Sequence, residues 1–245
     1  MTRIDGRAFD ELRPLKITPN YTKYAEGSVL IEQGDTLVIC TASFEAGAPR
    51  HLKDTGTGWV TAEYNMLPRA NRSRSPRDIS KLKLSGRSAE IQRLIGRSLR
   101  SIIDLSALGE NTFTIDCDVI QADGGTRCAS ITGGYVALAI ACRRLYEKGL
   151  LGSYPIRDTI AALSTGIAKV GGSEQICVDL NYHEDSAAEV DFNVVMTGAG
   201  MFTELQGTGE GRPYTQEELN AMLGLTVPRL YDIMELQKKV IEEAV

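Results

Sequence analysis

Several chemically useful residue types are scarce or unclustered in this chain of 245 residues. It has two histidines, His51 and His183, and neither stands in a setting typical of a Ser/His/Asp or Cys/His nucleophile system. Its five cysteines are scattered, mostly inside apolar runs, and no CxxC motif or Cys/His cluster indicates zinc. No GxxxxGK followed by Ser or Thr occurs, which excludes a Walker-type phosphate loop.

The chain also lacks a long apolar run and an excess of positive charge. No segment approaches the length of a membrane-spanning helix, and residues 1–7 are polar, without the apolar centre of a signal peptide. With the cysteines predicted to be buried thiols, these features predict a cytoplasmic protein that does not enter membranes. The formal net charge of -5 gives no whole-molecule attraction to nucleic acid, so a polyanion needs a local basic patch.

Apolar periodicity predicts a mixed α/β fold. In the first half, strands are expected at 28–33, 36–43, 59–66 and 112–120, and helices at 85–104 and 128–147. After a break rich in Gly and Pro, strands are expected at 158–170, 175–182, 190–197 and 202–206. Two helices are predicted to close the chain, the first capped by Thr215 with Glu218 and ended by Gly224, the second starting near Pro228. Two halves of strands followed by helices, about 1–148 and 149–245, would then be fused in one domain.

The most informative motif is Gln-Ala-Asp-Gly-Gly-Thr-Arg at 121–127, between a predicted strand and a predicted helix. Free backbone N–H groups and the positive end of the helix dipole favour an anion at such a junction. Arg127 adds donors that suit phosphate oxygens. A glycine turn with Thr126 as helix cap and Arg127 in solvent explains the pattern equally well.

A second arginine stands at the start of the helix that Ser85 opens. Arg93, Arg97 and Arg100 fall opposite the apolar face of this helix and are predicted to be solvated or to lie at a subunit contact. Arg87 is nearer the apolar side, in the first turn, where the helix dipole repels a cation. A bound anion would relieve that conflict, which favours phosphate binding over a structural salt bridge.

Acidic residues are concentrated around the predicted end of the strand at 175–182. Asp179 would lie on one face of that strand, and Asp185 would lie in the turn before the next strand, so the two carboxylates are predicted to converge. Such a pair suits Mg²⁺, which prefers a few carboxylates with water and substrate phosphate. An ordinary acidic turn is the alternative, since Asp, Glu and Ser are common in turns.

Four arginines stand within nine positions of a loop that contains no acidic residue. They are Arg69, Arg72, Arg74 and Arg77. This is the local basic patch that an RNA ligand would require. A mobile surface loop at an oligomer contact is a compatible alternative.

These features together favour one chemistry. Inorganic phosphate is a nucleophile at neutral pH, so it needs positioning and charge neutralisation more than a general base. Its attack on the 3′-terminal phosphodiester of an RNA would release a nucleoside 5′-diphosphate.

Motifs spread along nearly the whole chain support this interpretation. They are Asp-Gly-Arg at 5–7, Glu-Leu-Arg-Pro at 11–14, Glu-Gly-Ser-Val-Leu at 26–30, Gly-Trp-Val-Thr-Ala-Glu-Tyr at 58–64, Met-Leu-Pro-Arg-Ala at 66–70, Gly-Arg at 86–87, Glu-Ile-Gln-Arg-Leu-Ile-Gly-Arg at 90–97, Ile-Asp-Cys-Asp-Val-Ile at 115–120 with the motif at 121–127, Glu-Asp-Ser at 184–186 and Glu-Leu-Gln-Gly-Thr-Gly-Glu at 204–210. In these motifs the chain resembles the ribonuclease PH family, phosphorolytic 3′→5′ exoribonucleases that trim tRNA precursors.

The resemblance implies specific roles for the residues singled out above. Arg87, Gly125, Thr126 and Arg127 would bind phosphate. Asp179 and Asp185 would be catalytic and bind Mg²⁺, and Arg69, Arg72, Arg74 and Arg77 would contact tRNA.

The resemblance also implies a fold and partners. The fold would be two βαβα-type halves in a single domain, assembled as a homohexamer, a trimer of dimers. Inorganic phosphate would be co-substrate, tRNA precursors and other RNA 3′ ends including rRNA would be substrates, and the reverse reaction would add nucleotides; no DNA partner is expected. A non-catalytic RNA-binding ring subunit of an exosome-like assembly is the alternative, but such subunits can lose the phosphate-binding arginines or the carboxylates, and this chain keeps both.

Overall fold

Two β-sheets and four α-helices form the fold in the computed structural model, which describes residues 3–77, 80 and 85–245. The first two residues of the polar N-terminal stretch lie outside this range. The strands are β1 (Leu15–Pro19), β2 (Gly27–Gln33), β3 (Thr36–Ala46), β4 (Trp59–Met66), β5 (Asn111–Gln121), β6 (Ile160–Val170), β7 (Ser173–Val178), β8 (Val190–Thr197) and β9 (Phe202–Gly209). The helices are α1 (Gly86–Arg100), α2 (Thr126–Glu147), α3 (Tyr182–Asp185) and α4 (Gln216–Ala244), with a short 3₁₀ turn at Arg50–Leu52.

The first sheet has the strand order β1-β2-β3-β5-β4. All neighbouring pairs are antiparallel except β4 and β5, which run parallel and are joined through α1. The predicted hairpin of β2 and β3 is confirmed, and β4 has the predicted bounds. The sequence analysis missed β1, whose span ends in Pro19 and follows Pro14, because prolines weaken a strand signal. As the edge strand, β1 tolerates them.

The second sheet is antiparallel throughout, in the order β7-β6-β8-β9. The predicted bounds of β8 are confirmed, but the strand predicted at 175–182 ends at Val178. Asp179 adopts a left-handed backbone with φ of 52°, which breaks the pleat, and a turn of helix, α3, follows where strand was expected. The predicted alternation of side chains past residue 178 is therefore wrong.

Helix α2 lies between the two sheets and is buried on almost every side. It contacts β2 and β3 of the first sheet and β6 of the second. Gly133 permits the close approach to the first sheet, since a Cβ atom there would lie 2.9 Å from the sulfur of Cys40. Both sheets thus share one apolar core around α2, and all five cysteines are free and buried, as predicted.

The chain ends in one continuous helix, not the two that were predicted. The capping box is confirmed, with Thr215 and Glu218 each accepting a hydrogen bond from the other's backbone N–H. Pro228 lies inside α4 and removes one backbone hydrogen bond, which normally ends or kinks a helix. Here the buried Met222 and Leu230 flank the proline and pack in the core beneath the second sheet, so tertiary packing overrides the local signal.

The architecture confirms the predicted mixed α/β class. Helix α1 begins at the predicted Ser85 cap, whose hydroxyl accepts from the N–H of Ser88, but it ends at Arg100, earlier than predicted. Over the residues that the structure covers, no helix combines the length and apolar character that a membrane span needs.

Candidate active site

A turn with two left-handed glycines joins β5 to α2. Gly124 and Gly125 have φ of 77° and 68°, a region that other residues rarely adopt. A Cβ atom on Gly124 would lie 2.5 Å from the carbonyl oxygen of Leu180, so the missing side chain lets the turn meet the segment before α3. Gly125, not Thr126, is the N-cap of α2, and no side chain of the described residues caps the helix. The first-turn N–H groups are thereby open to an anion.

This turn forms one wall of a cleft of about 700 Å³. Arg87 at the start of α1, Gly125 and Thr126 of the turn, Asp185 of α3 and Arg77 of the basic loop all line it. The fold thus brings together residues from the predicted phosphate-binding, metal-binding and RNA-binding sets, although they come from distant parts of the sequence.

Thr126 has a partner that the sequence analysis did not identify. Its hydroxyl lies 2.9 Å from the phenol oxygen of Tyr64, which is buried at the end of β4. Burial raises the pKa of Tyr64, whereas the nearby Arg87 and Arg127 oppose that shift. The side chains of Thr126 and Tyr64 therefore hold each other within the positive field of the two arginines.

Arg127 is mostly buried beside the cleft. Its guanidinium forms an ion pair with Glu90 of α1 at 3.5 Å and donates a hydrogen bond to Gln206 of β9, whose amide in turn donates to Glu90 at 3.1 Å. Gln206 belongs to the Glu-Leu-Gln-Gly-Thr-Gly motif, which carried the family resemblance without an assigned role. The predicted alternative of Arg127 in solvent is therefore wrong, and β9 contributes to orienting it.

Two carboxylates lie within electrostatic range of Arg87 and Arg127. Burial raises the pKa of Asp185, and Arg87 and Arg127 oppose the shift. Burial, followed by the charge of Asp185, raises the pKa of Asp191 on β8 to about 6. Asp191 is thus the electrostatic neighbour of Asp185, a relation that the sequence analysis missed because it gave Asp191 no role.

Asp179 lies in a different environment. It is 0% exposed, and its oxygens accept from the guanidinium of Arg13 at 2.7 Å, the amide of Gln33 at 2.8 Å and the backbone N–H of Arg13 at 2.7 Å. These contacts direct the carboxylate into the protein, and the strand that was expected to carry it toward Asp185 has already ended. Asp179 is thus held by Arg13 and Gln33, whereas Asp185 lines the cleft, and the pairing of the two carboxylates on a metal stays a prediction.

Three arginines near the N-terminus organise this segment. Arg3, Arg7 and Arg13 are buried, and they form ion pairs with Asp179 and Glu184. Arg3 also donates to the backbone carbonyl oxygens of Val178 and Asp179. The Asp-Gly-Arg and Glu-Leu-Arg-Pro motifs supplied Arg7 and Arg13, but local pattern alone gave no sign of their partners.

The basic loop reaches the cleft in two places. All four of its predicted arginines are exposed: Arg69, Arg72, Arg74 and Arg77. Arg72 lies 2.6 Å from the Nε2 atom of His183 and 5.4 Å from the centre of the Tyr182 ring. Burial and the charge of Asp116 raise the pKa of Asp118 on β5, and Arg77, which lines the cleft with Asp118, opposes that shift.

Metal-binding capacity rests on the carboxylates of the cleft. Among the described residues there is no group of three or more His, Cys, Asp and Glu side chains arranged to hold a metal. A cation bound in this part of the protein would take most of its ligands from water or substrate, as Mg²⁺ usually does.

Comparisons with solved structures find the same fold in other proteins. Solved structures of similar fold include rice (Oryza sativa) Rrp46, with 18% identity and a TM-score of 0.79 over 98% of this chain and 100% of that one. An Archaeoglobus fulgidus exosome with RNA bound to the active site has 25% identity and a TM-score of 0.78 over 96% of this chain and 92% of its own. An archaeal exosome core has 24% identity and a TM-score of 0.72, over 97% and 91% respectively.

Family models match both halves of the fold. Residues 11–143 match domain 1 of the 3′ exoribonuclease family, which includes β1 to β5, α1 and most of α2. Residues 159–227 match domain 2, which includes the second sheet and the first part of α4. The cleft of Arg87, Gly125, Thr126 and Asp185 lies where elements of the two matched segments meet. With most of its length matched in this way, the chain belongs to the 3′ exoribonuclease family.

Proposed function

We propose that this chain is a phosphorolytic 3′→5′ exoribonuclease of the ribonuclease PH type. It would trim the 3′ ends of tRNA precursors, and also rRNA, releasing nucleoside diphosphates. The observation that carries the proposal is the single cleft where an uncapped helix N-terminus, Arg87, Asp185 and Arg77 meet. RNA bound to the active site of the archaeal exosome supports a nucleic-acid ligand for the same fold.

The attacking phosphate is assigned to the positive side of the cleft. Arg87, the backbone N–H groups after Gly125 and the hydroxyl of Thr126 would bind its oxygens, with Arg127 adding charge from beside the cleft. Attack joins a phosphate oxygen to the last phosphorus of the RNA and breaks its bond to the preceding 3′-oxygen. Hydrogen phosphate loses one proton in this step and the leaving 3′-oxygen gains one. The protein therefore needs to supply or remove no net proton.

The metal is assigned to Asp185 and Asp191. Their pKa values are raised by burial, and the charge of Asp185 further raises that of Asp191, so two partly buried carboxylates repel each other where a divalent cation would relieve the repulsion. Mg²⁺ held there supplies charge that stabilises the reacting phosphodiester. The oxygens of Asp179 are already engaged by Arg13 and Gln33, so we assign that residue to holding the segment before α3.

A homohexameric ring, a trimer of dimers, is proposed as the working assembly. β9 is the edge strand of the second sheet and carries the exposed apolar side chains of Phe202 and Leu205, beside exposed Met201. An edge with apolar side chains is a common surface for association. The archaeal exosome core, a solved relative of this fold, is itself named as an assembly.

The alternative is a non-catalytic RNA-binding ring subunit. A subunit of this kind would bind RNA but would not degrade it. Arg87 and Asp185 line one cleft, and the charges of Arg127 and Asp191 act on the same group of residues, which favours the enzyme.

One experiment tests the enzyme directly. The chain is incubated with a tRNA that bears extra 3′ nucleotides, with Mg²⁺, in the presence and absence of inorganic phosphate. Shortening only with phosphate, with nucleoside diphosphates as products, and extension of the RNA by excess diphosphate are expected. Nucleoside monophosphates released without phosphate would indicate a hydrolase, and binding without any product would indicate the ring subunit.

A further inference from the structure

Tyr182 is an exposed aromatic residue on the wall of the cleft. Its side chain is 45% exposed although it is the first residue of α3 and its neighbour Asn181 is buried. It lines the same cleft as Asp185, three residues later. Side chains three apart on a helical turn are neighbours, with about 5–6 Å between Cβ atoms. The ring and the carboxylate assigned to the reacting phosphodiester therefore share one cleft.

The ring contacts a cation from the basic loop and the neighbouring His183. Arg72 lies over it at 5.4 Å from the ring centre and is anchored by the hydrogen bond to His183 at 2.6 Å. The ring of His183 meets that of Tyr182 edge-on, with centres 6.1 Å apart. A guanidinium and a nucleobase can occupy the same face of an aromatic ring, since both are planar and both stack there.

Resting on the proposed function, we infer that Tyr182 stacks against a nucleobase at the 3′ end of the bound RNA, either the last or the next-to-last. Arg72 holds this position in the free protein and moves to the RNA backbone when the base arrives. Stacking is tolerant of sequence because every base has a π-face, which suits an enzyme that removes successive nucleotides of any kind.

The surroundings of Tyr182 argue for a base over other aromatic roles. A core role is excluded by its exposure, and its backbone N–H is already oriented by Asp123 at 3.4 Å. Arg87 and the turn at Gly125, proposed to hold the attacking phosphate, line the same cleft as Tyr182, so the phosphodiester under attack brings its neighbouring bases into the cleft that the ring lines.

The test measures RNA binding without turnover. A fluorescent single-stranded RNA is titrated in chelator and without phosphate against the wild type, Tyr182→Leu and Tyr182→Phe. Tyr231→Leu is the matched control, since Tyr231 is 42% exposed but lies on α4, outside the cleft wall described above. The RNA is used intact and with a single abasic site at the last or next-to-last position.

Intact RNA should bind Tyr182→Leu on the order of tenfold more weakly, while Tyr182→Phe and Tyr231→Leu bind as the wild type does. One abasic position should weaken wild-type binding by a similar factor and cause no further loss in Tyr182→Leu, since the same stack is already gone. The inference would be overturned if the losses from Tyr182→Leu and from an abasic site added at both RNA positions. Equal binding by the wild type and Tyr182→Leu would also overturn it. Thermal melts confirm that each variant is folded.

Failure here is distinct from failure of the proposed function. RNA binding in which Tyr182→Leu and the abasic site share one loss, but without phosphorolysis, would support stacking by Tyr182 and refute the proposed enzyme activity. If phosphorolysis at limiting RNA is unchanged in Tyr182→Leu, the proposed enzyme activity stands and stacking by Tyr182 is refuted. Absence of RNA binding by the wild type would refute both.

Discussion

Arg3 and Glu184 form a two-pronged buried ion pair across 181 positions of sequence. The Nε atom of Arg3 donates to Oε1 of Glu184 at 2.7 Å, and Nη2 donates to Oε2 at 2.5 Å. Glu184 also completes the capping box of α3 with Asn181 and directly precedes Asp185. The N-terminal segment is thus tied to the short helix that carries the proposed metal ligand.

Breaking this pair should reduce both stability and turnover. Arg3→Ala removes the two-pronged partner of the buried Glu184 carboxylate and leaves it only the more distant Arg7, at 3.6 Å. Breaking a buried pair typically lowers the free energy of unfolding by about 3–5 kcal/mol. At temperatures where the variant is folded, kcat should fall while the KM for phosphate stays near normal, because Asp185 is displaced but Arg87 is not. Urea unfolding and steady-state kinetics give the two values. Arg157→Ala, which breaks an exposed pair with Asp104, is the control and should leave the free energy of unfolding nearly unchanged.

Asp185→Asn should affect turnover, whereas Asp179→Asn should affect stability. Asp185→Asn keeps the shape of the side chain but removes charge from the proposed metal site, so turnover should collapse while the melting temperature holds. Asp179→Asn should destabilise by several kcal/mol, since the buried Arg13 loses its charge partner. Single-turnover rates across a magnesium titration, with thermal melts, separate the two. A stable Asp179→Asn variant that has lost its response to magnesium would restore Asp179 as a metal ligand.

Stability in chelator should depend on pH through Asp191. Its folded pKa of about 6 lies above the usual 3.8, so between these values the folded state keeps a proton that the unfolded state releases. Stability therefore falls as pH rises through this window and stays lower above it. Asp191→Asn should be more stable than the wild type above pH 6, by up to roughly 3 kcal/mol, and equal to it below pH 4.

Magnesium should reverse that order. The cation stabilises the wild type by binding the folded state, whereas Asp191→Asn lacks one of the two proposed ligands. Unfolding curves at several pH values, with chelator and with Mg²⁺, measure both effects. A wild type whose stability does not respond to pH or to Mg²⁺ would remove Asp191 from the proposed site.

Substitutions of the arginines at the cleft and of those in the loop should affect different steps, phosphate binding and RNA binding respectively. Arg87→Ala and Arg127→Ala each lose a charge-assisted contact worth roughly 1.5–3 kcal/mol, so the KM for phosphate should rise about tenfold to more than a hundredfold. Arg69→Ala and Arg74→Ala, both at exposed positions of the loop, should instead weaken RNA binding and flatten its dependence on salt. Phosphate and RNA titrations on the same four variants are the measurement. Identical profiles for the two groups would contradict the assignment.

Local sequence determined much of this molecule. The bounds of β4 and β8, the Ser85 and Thr215 caps and the strand–turn–helix junction at 121–127 all follow from patterns a few residues long. Such features are readable because their physics is local: side-chain alternation in strands, hydroxyl groups that cap helices, and glycines that accept a left-handed backbone.

Tertiary structure decided the surroundings of each carboxylate and the continuity of the last helix. From the sequence, Asp179 and Asp191 are both acidic residues near Asp185. Their difference comes from Arg13, 166 positions from Asp179, which holds that carboxylate inside the protein, while Asp191 is left beside Asp185. The continuity of α4 through Pro228 has the same origin, since burial on both sides of the proline outweighs one lost hydrogen bond. Charge pairing and apolar packing act between residues that are close in space, whatever their separation along the chain, and a linear pattern carries no record of that proximity.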